Sequence, residues 1–165
     1  MREPAAYTPA RMEIRTIIVP LDGSDLSERA LGPALTIAER FGARVVLVQA
    51  IPSLGTIVAQ TASDASDTTA YIDPYEIQDS VRTEAQRALD AARAKLAPLT
   101  AQVEIFEGRA ADGILALAER ERADLVVMGT RGKGGIARAV LGSVADTVMH
   151  RTRCPVLLVP PEARI

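Results

Sequence analysis

Aromatic side chains are scarce in this chain of 165 residues: there is no tryptophan, and three tyrosines and two phenylalanines make up 3%. Its core must therefore be aliphatic, built from Ala, Val, Leu and Ile. Cys154 is the single cysteine, which excludes an internal disulfide, and His150 is the single histidine, so no Cys/His cluster exists for a structural zinc. Cys154 adjoins the apolar run PVLLV, and a buried, inert thiol is expected there. An excess of charge of one sign is missing too. Lys and Arg number 19 against 21 Asp and Glu, a net charge of −2, so no whole-chain field points to nucleic acid. No apolar run reaches the roughly 18 residues of a membrane-spanning helix. The opening stretch MREPAAYTPARMEIR carries charge and proline without the apolar segment of a signal peptide. The expectation is a soluble cytoplasmic protein of one domain, residues 14–161, after a loose tail over 1–13.

What is present is a regular alternation. Five apolar runs read as strands: RTIIVPL (15–21), RVVLVQA (44–50), QVEIFE (102–107), DLVVMG (124–129) and PVLLVP (155–160). Several are apolar throughout, as in strands covered on both faces. Helical spacing of apolar residues runs from Leu26 to Phe41 with Gly42 as a stop signal, and again from Val81 to Leu96 before Pro98. Asp112 is placed to cap a third helix, and Ser143 with Asp146 resembles a capping box for a fourth. Strand and helix alternate, so the fold class is α/β: one doubly wound, five-stranded parallel sheet with helices on both faces. Residues 52–78, rich in Ser, Thr, Asp and Ala, break the pattern as a long connection, read as a mobile loop or, more sharply, as a lid over a ligand.

The stretch GTRGKGGIARAVLGS (129–143) concentrates glycine and positive charge directly after the fourth strand. Backbone amides and the positive end of a helix attract phosphate, and glycine lets the main chain close on it. A Walker A loop is excluded, because Gly134 follows Gly132-Lys133 and Val127 stands where its first glycine belongs. The dinucleotide fingerprint G-x-G-x-x-[GA] is met at Gly132, Gly134 and Ala137, but after the fourth strand rather than the first, and without the acidic residue about 20 positions on. A third pattern, G-x2-G-x9-G-[ST], is met at Gly129, Gly132, Gly142 and Ser143.

With that pattern the sequence resembles the universal stress proteins, specifically their ATP-binding branch. VPLDGSDLSERAL resembles the family's opening strand, turn and helix, ADLVVMGTRGKGG its fourth strand and loop, and VLGSVADTVMHRTRCPVLLVP its closing helix and strand. The resemblance implies a Rossmann-like sheet of order 3-2-1-4-5, which puts strands one and four side by side at a ligand-binding switch point. It also implies a site of Pro20, Leu21 and Asp22 at the first strand's tip, Ala50 at the second's, and Met128 and Gly129 at the fourth's. Gly132 and the amides of Gly142, Ser143 and Val144 would face the phosphates, with Arg131 and Lys133 adding positive charge. The same residues have plainer readings: Asp22-Gly23 is a common turn pair, Ser143 a helix cap and Ala50 a buried sheet alanine.

The implied cofactor is ATP, with Mg2+ on its phosphates, and the implied function is a nucleotide-dependent stress-response regulator with at most slow hydrolysis. No residue stands ready to align a water, and no arginine finger can be assigned. Two alternatives stay open: a dimeric interaction module of the same fold without nucleotide, or a nucleotide-using enzyme of related architecture. A homodimer through strand 155–160 is expected, with Val156 and Leu158 or their neighbours at the seam, because an apolar edge strand invites pairing. His150, Glu39-Arg40 and Glu119-Arg120-Glu121-Arg122 read as solvated helix faces. Tyr71 and Tyr75 read as loop residues, and Arg138 is left open between phosphate and solvent.

Overall fold

The computed structural model describes residues 13–64, 73–131 and 141–161. Its strands are β1 (Thr16–Leu21), β2 (Arg44–Ile51), β3 (Ala101–Glu107), β4 (Leu125–Gly129) and β5 (Val156–Val159). They form one sheet of order β3-β2-β1-β4-β5 with every pairing parallel, as the sequence pattern and the family resemblance imply. The helices are α1 (Asp25–Glu28), α2 (Leu31–Phe41), α3 (Leu54–Asp64), α4 (Pro74–Ala94), α5 (Ala110–Arg120) and α6 (Ser143–Arg151).

β1 lies at the centre, and all six of its residues are buried, which is why TIIVPL is apolar throughout instead of alternating. Its side chains divide the core into two layers. Ile17, Val19 and Leu21 join Val45, Leu47 and Val127 under α2 and α4. Ile18 joins Val46, Val48, Val126 and Met128 under α5 and α6. Ile17, Ile18, Leu47, Val126 and Val127 are wholly inaccessible, each contributing about 1.5–3 kcal/mol of transfer free energy. Aliphatic packing on both faces replaces the aromatic core that the composition excludes.

Four local expectations need correction. The single helix over 26–41 is two: Ser24 caps α1, its Oγ accepting from the Ser27 N–H at 3.2 Å, and α2 begins only at Leu31. Gly42 then ends α2 in the left-handed conformation, φ 68°. The long connection is also largely helical where it is described. Ser53 Oγ accepts from the Thr56 N–H at 3.3 Å as α3 begins, and Asp73 Oδ1 accepts from the Tyr75 N–H at 2.9 Å with Pro74 opening α4. α3 packs on α4, and its Ile57 is buried, while Tyr75 at the start of α4 is 68% exposed. Residues 65–72, with Tyr71, and residues 1–12 of the tail lie outside the described residues.

Third, the helix caps are shifted. α5 starts at Ala110 with Arg109 in the cap position, so Asp112 sits inside the first turn. α6 starts at Ser143 with Gly142 in the cap position and no capping side chain, so Ser143 is the first helical residue and closes no capping box. Cys154, expected buried, is half-buried, with its Sγ 3.2 Å from Thr152 Oγ1. His150 is exposed on α6, as expected, its Nδ1 2.9 Å from the Asp146 carbonyl oxygen.

Candidate functional site

The β1–β4 ladder stops at Ile18–Val126, two residues before Pro20, which has no N–H to extend it, whereas β1 stays paired with β2 through Leu21–Gln49. Beyond the C-terminal ends of these strands, on the α5/α6 face, lies a cavity of about 490 Å³. This is the crevice where strand order reverses, the usual ligand position in open α/β sheets.

Ten of the twelve residues picked from the sequence border it. Pro20, Leu21 and Asp22 come from the tip of β1, Ala50 from β2, and Met128, Gly129 and Arg131 from the end of β4 and the residues after it. Gly142, Ser143 and Val144 form the start of α6. Gly132 and Lys133, like Arg138, lie outside the described residues. No described residue of α3 or α4 borders the cavity. Residues not picked from the sequence complete the wall: Ser27, Thr130, Leu141 and Ala145, and an apolar group from β2, β3 and α5 comprising Val48, Phe106, Ala110, Gly113 and Ile114. Only the strand and helix alternation hinted at these, since they lie at strand ends and a helix start.

The glycines answer to crowding by the protein's own main chain. A Cβ on Gly129 would stand 3.2 Å from the carbonyl oxygens of both Arg131 and Leu26. A Cβ on Gly142 would stand 3.3 Å from the Thr130 carbonyl oxygen, to which the Gly142 N–H donates at 2.8 Å. Missing side chains thus let the start of α6 lie against the strand end, and Thr130 N–H ties that end to β5 through the Val159 carbonyl at 3.1 Å. The turn reading of Asp22 holds as well: its Oδ1 accepts from the Ser24 N–H at 3.0 Å and from Ser24 Oγ at 2.5 Å, and Gly23 has φ 75°. Ser27 Oγ accepts from the Asp22 N–H at 3.2 Å, fixing the same turn from α1.

Electrostatically the cavity has two ends. At one, the bare start of α6 offers first-turn amides that no side chain caps. Beside it the Arg131 Nε is buried without a hydrogen-bond partner among the described residues. A buried guanidinium N–H left unpaired is costly, and an anion removes that cost. At the other end the wall carries no polar side chain among the described residues. The arrangement suits an elongated ligand with an anionic tail and a flat apolar head. Among the described residues no group of three or more His, Cys, Asp or Glu is placed to hold a metal ion.

A model of the universal stress protein family matches residues 13–160, and the chain belongs to that family. It is 35% identical over 148 residues to universal stress protein MJ0531 of Methanocaldococcus jannaschii, covering 88% of this chain and 81% of that protein. Among solved structures it is similar to the universal stress protein UspA of Lactobacillus plantarum: 25% identity, TM-score 0.72, with 92% of this chain and 99% of that one covered. It is also similar to a universal stress protein in complex with cAMP: 27% identity, TM-score 0.62, with 91% and 99% covered.

Proposed function

We propose that this member of the universal stress protein family binds ATP in the cavity at the β1/β4 switch point and acts as a cytoplasmic, nucleotide-dependent stress-response regulator. One observation carries the reading. The N-terminus of α6, with a glycine that offers no side chain in the cap position, opens on a cavity that Arg131 also borders, and Arg131 Nε is buried without a hydrogen-bond partner among the described residues. The cAMP held by a similar protein supports an adenine nucleotide as the occupant. Ser143 and Val144 would receive the phosphates, Gly132 and Lys133 would close over them, and the apolar end would take the base. Mg2+ would come with the phosphates, with Asp22 the nearest carboxylate on the wall. Asp22 is the one carboxylate on the wall among the described residues, and its Oδ1 is already engaged by the Ser24 N–H and Oγ, so ATP is read as a ligand that is at most slowly turned over.

Ligand linkage provides the test. At Mg-ATP 100-fold above its dissociation constant, the folded state gains about 2.7 kcal/mol. For a domain of this size that raises the melting temperature by roughly 5–10 °C. AMP and cAMP in parallel samples show how much of the shift depends on the phosphate tail. No shift at millimolar nucleotide of any kind would remove the reading.

The same reading includes a homodimer through β5. That strand ends the sheet, so one side of its backbone lacks a strand partner among the described residues, and Leu157 is 37% exposed on it. Val156 and Leu158 instead lean on the α5/α6 layer, so they support the edge while Leu157 would carry the contact. Light scattering should give twice the 17.5 kDa of the chain, and a monomer at that mass rejects the dimer.

A further inference from the structure

Phe106 is the one aromatic side chain bordering the cavity among the described residues. It stands on β3 in register with Ala50 of β2, on the face that packs against α5. Two glycines make room for its ring. A Cβ on Gly113 of α5 would fall 2.4 Å from Phe106 Cδ1 and 2.5 Å from Cγ, inside any tolerable contact. A Cβ on Gly108 would fall 3.2 Å from Cε1, and Gly108 also holds φ 132°, which side-chain-bearing residues rarely adopt. A chain with few aromatics has thus cleared space at two points along one edge of a ring at a cavity wall. The wall around it (Val48, Ala50, Ala110 and Ile114) carries no polar side chain, so a ligand is read there by shape and ring contact.

We propose that Phe106 is the specificity-determining residue of the apolar end, the surface on which a flat heteroaromatic base packs. Gly113 is its positioning residue, since the ring can occupy its place only while α5 lacks a side chain there. The inference rests on the nucleotide reading of the cavity and adds to it which residue selects the base. Aromatic contact with a base is offset or edge-on and insensitive to the hydrogen-bonding pattern of the base. Phe106 therefore selects for a flat ring, and the α6 end for the charge on its tail.

The experiment measures the affinity of folded variants for ATP and, by competition, for inorganic tripolyphosphate, which has the tail without the base. Phe106→Leu should weaken ATP binding about tenfold while leaving tripolyphosphate unchanged. Phe106→Tyr should keep ATP affinity within about twofold, because the ring remains. Gly113→Ala should weaken ATP alone by a similar factor, and that loss should vanish in the Phe106→Leu background, where no ring is left to displace. Unchanged ATP affinity in Phe106→Leu, or a parallel loss of ATP and tripolyphosphate, overturns the assignment of Phe106 while the nucleotide reading stands. A wild-type protein that binds neither ATP nor tripolyphosphate overturns both.

Discussion

The two rims of the sheet are built from the same strands and are opposites in chemistry. At the rim where the strands begin, polar groups find partners within the chain. Asp124 Oδ2 accepts from the Arg15 N–H at 2.8 Å and the Thr16 N–H at 3.0 Å, joining the start of β1 to the start of β4. Arg44 of β2 reaches Glu121 at 2.8 Å, and Arg120 bridges Glu121 at 3.0 Å and Glu104 of β3 at 2.9 Å. At the rim where the strands end, the ladder opens, a helix starts without a capping side chain, and a guanidinium N–H is buried without a partner among the described residues. Such groups normally destabilise a fold. Their gathering around one cavity fits the ligand site proposed above: one rim is complete within the chain, and the other leaves groups for the proposed ligand to meet.

Substitutions at the closed rim should cost stability and leave binding alone. Asp124→Ala strands two amides, one of them on the buried Thr16, and should lower unfolding stability by about 1–3 kcal/mol in urea titrations. ATP affinity should be unchanged; a joint loss would show that the rims are coupled. A smaller effect is expected at Glu121. Its carboxyl is held below the usual value of 4.5, first by the hydrogen bond from Arg44 and then by that from Arg120. A depressed acid contributes stability that is complete above its unfolded value and lost as pH falls through the folded one. Melting temperature should therefore drop on acidification below about pH 4.5, and Glu121→Gln should soften that drop while lowering the plateau slightly. Superimposable curves for the two proteins would show that the network is incidental to stability.

The contrast also explains what could be read from the sequence. Strands were legible because burial on both faces forces unbroken apolar runs, so TIIVPL and LVVM stand out. The tail-binding end was legible because close main-chain approach demands glycine, and Gly129 and Gly142 mark where it occurs. The apolar end was not. Val48, Phe106 and Ile114 look like any other core residues, and only the fold brings the end of β3 and the start of α5 to the cavity. Arg120 is exposed and Glu121 half-buried, in keeping with a solvated helix face, and their pairing with Arg44 of β2 and Glu104 of β3 is what periodicity does not reveal. The helices within 52–78 were hidden because polar composition outweighed the caps at Ser53 and Asp73. The order of strands came from family resemblance, since periodicity says nothing about which strands are neighbours.

The most direct measurement of the central claim is a calorimetric titration of Mg-ATP into the wild type and into Arg131→Ala, with the unfolding stability of both recorded without nucleotide. Saturable binding of one nucleotide per chain is expected in the wild type, weakened about tenfold or more in the variant, because a charge-assisted hydrogen bond contributes roughly 1.5–3 kcal/mol. Stability without nucleotide should be undiminished, since Arg131 Nε has no partner to lose among the described residues. No saturable heat in the wild type, or equal affinity in both proteins, would contradict the claim that this rim is completed by an anionic nucleotide.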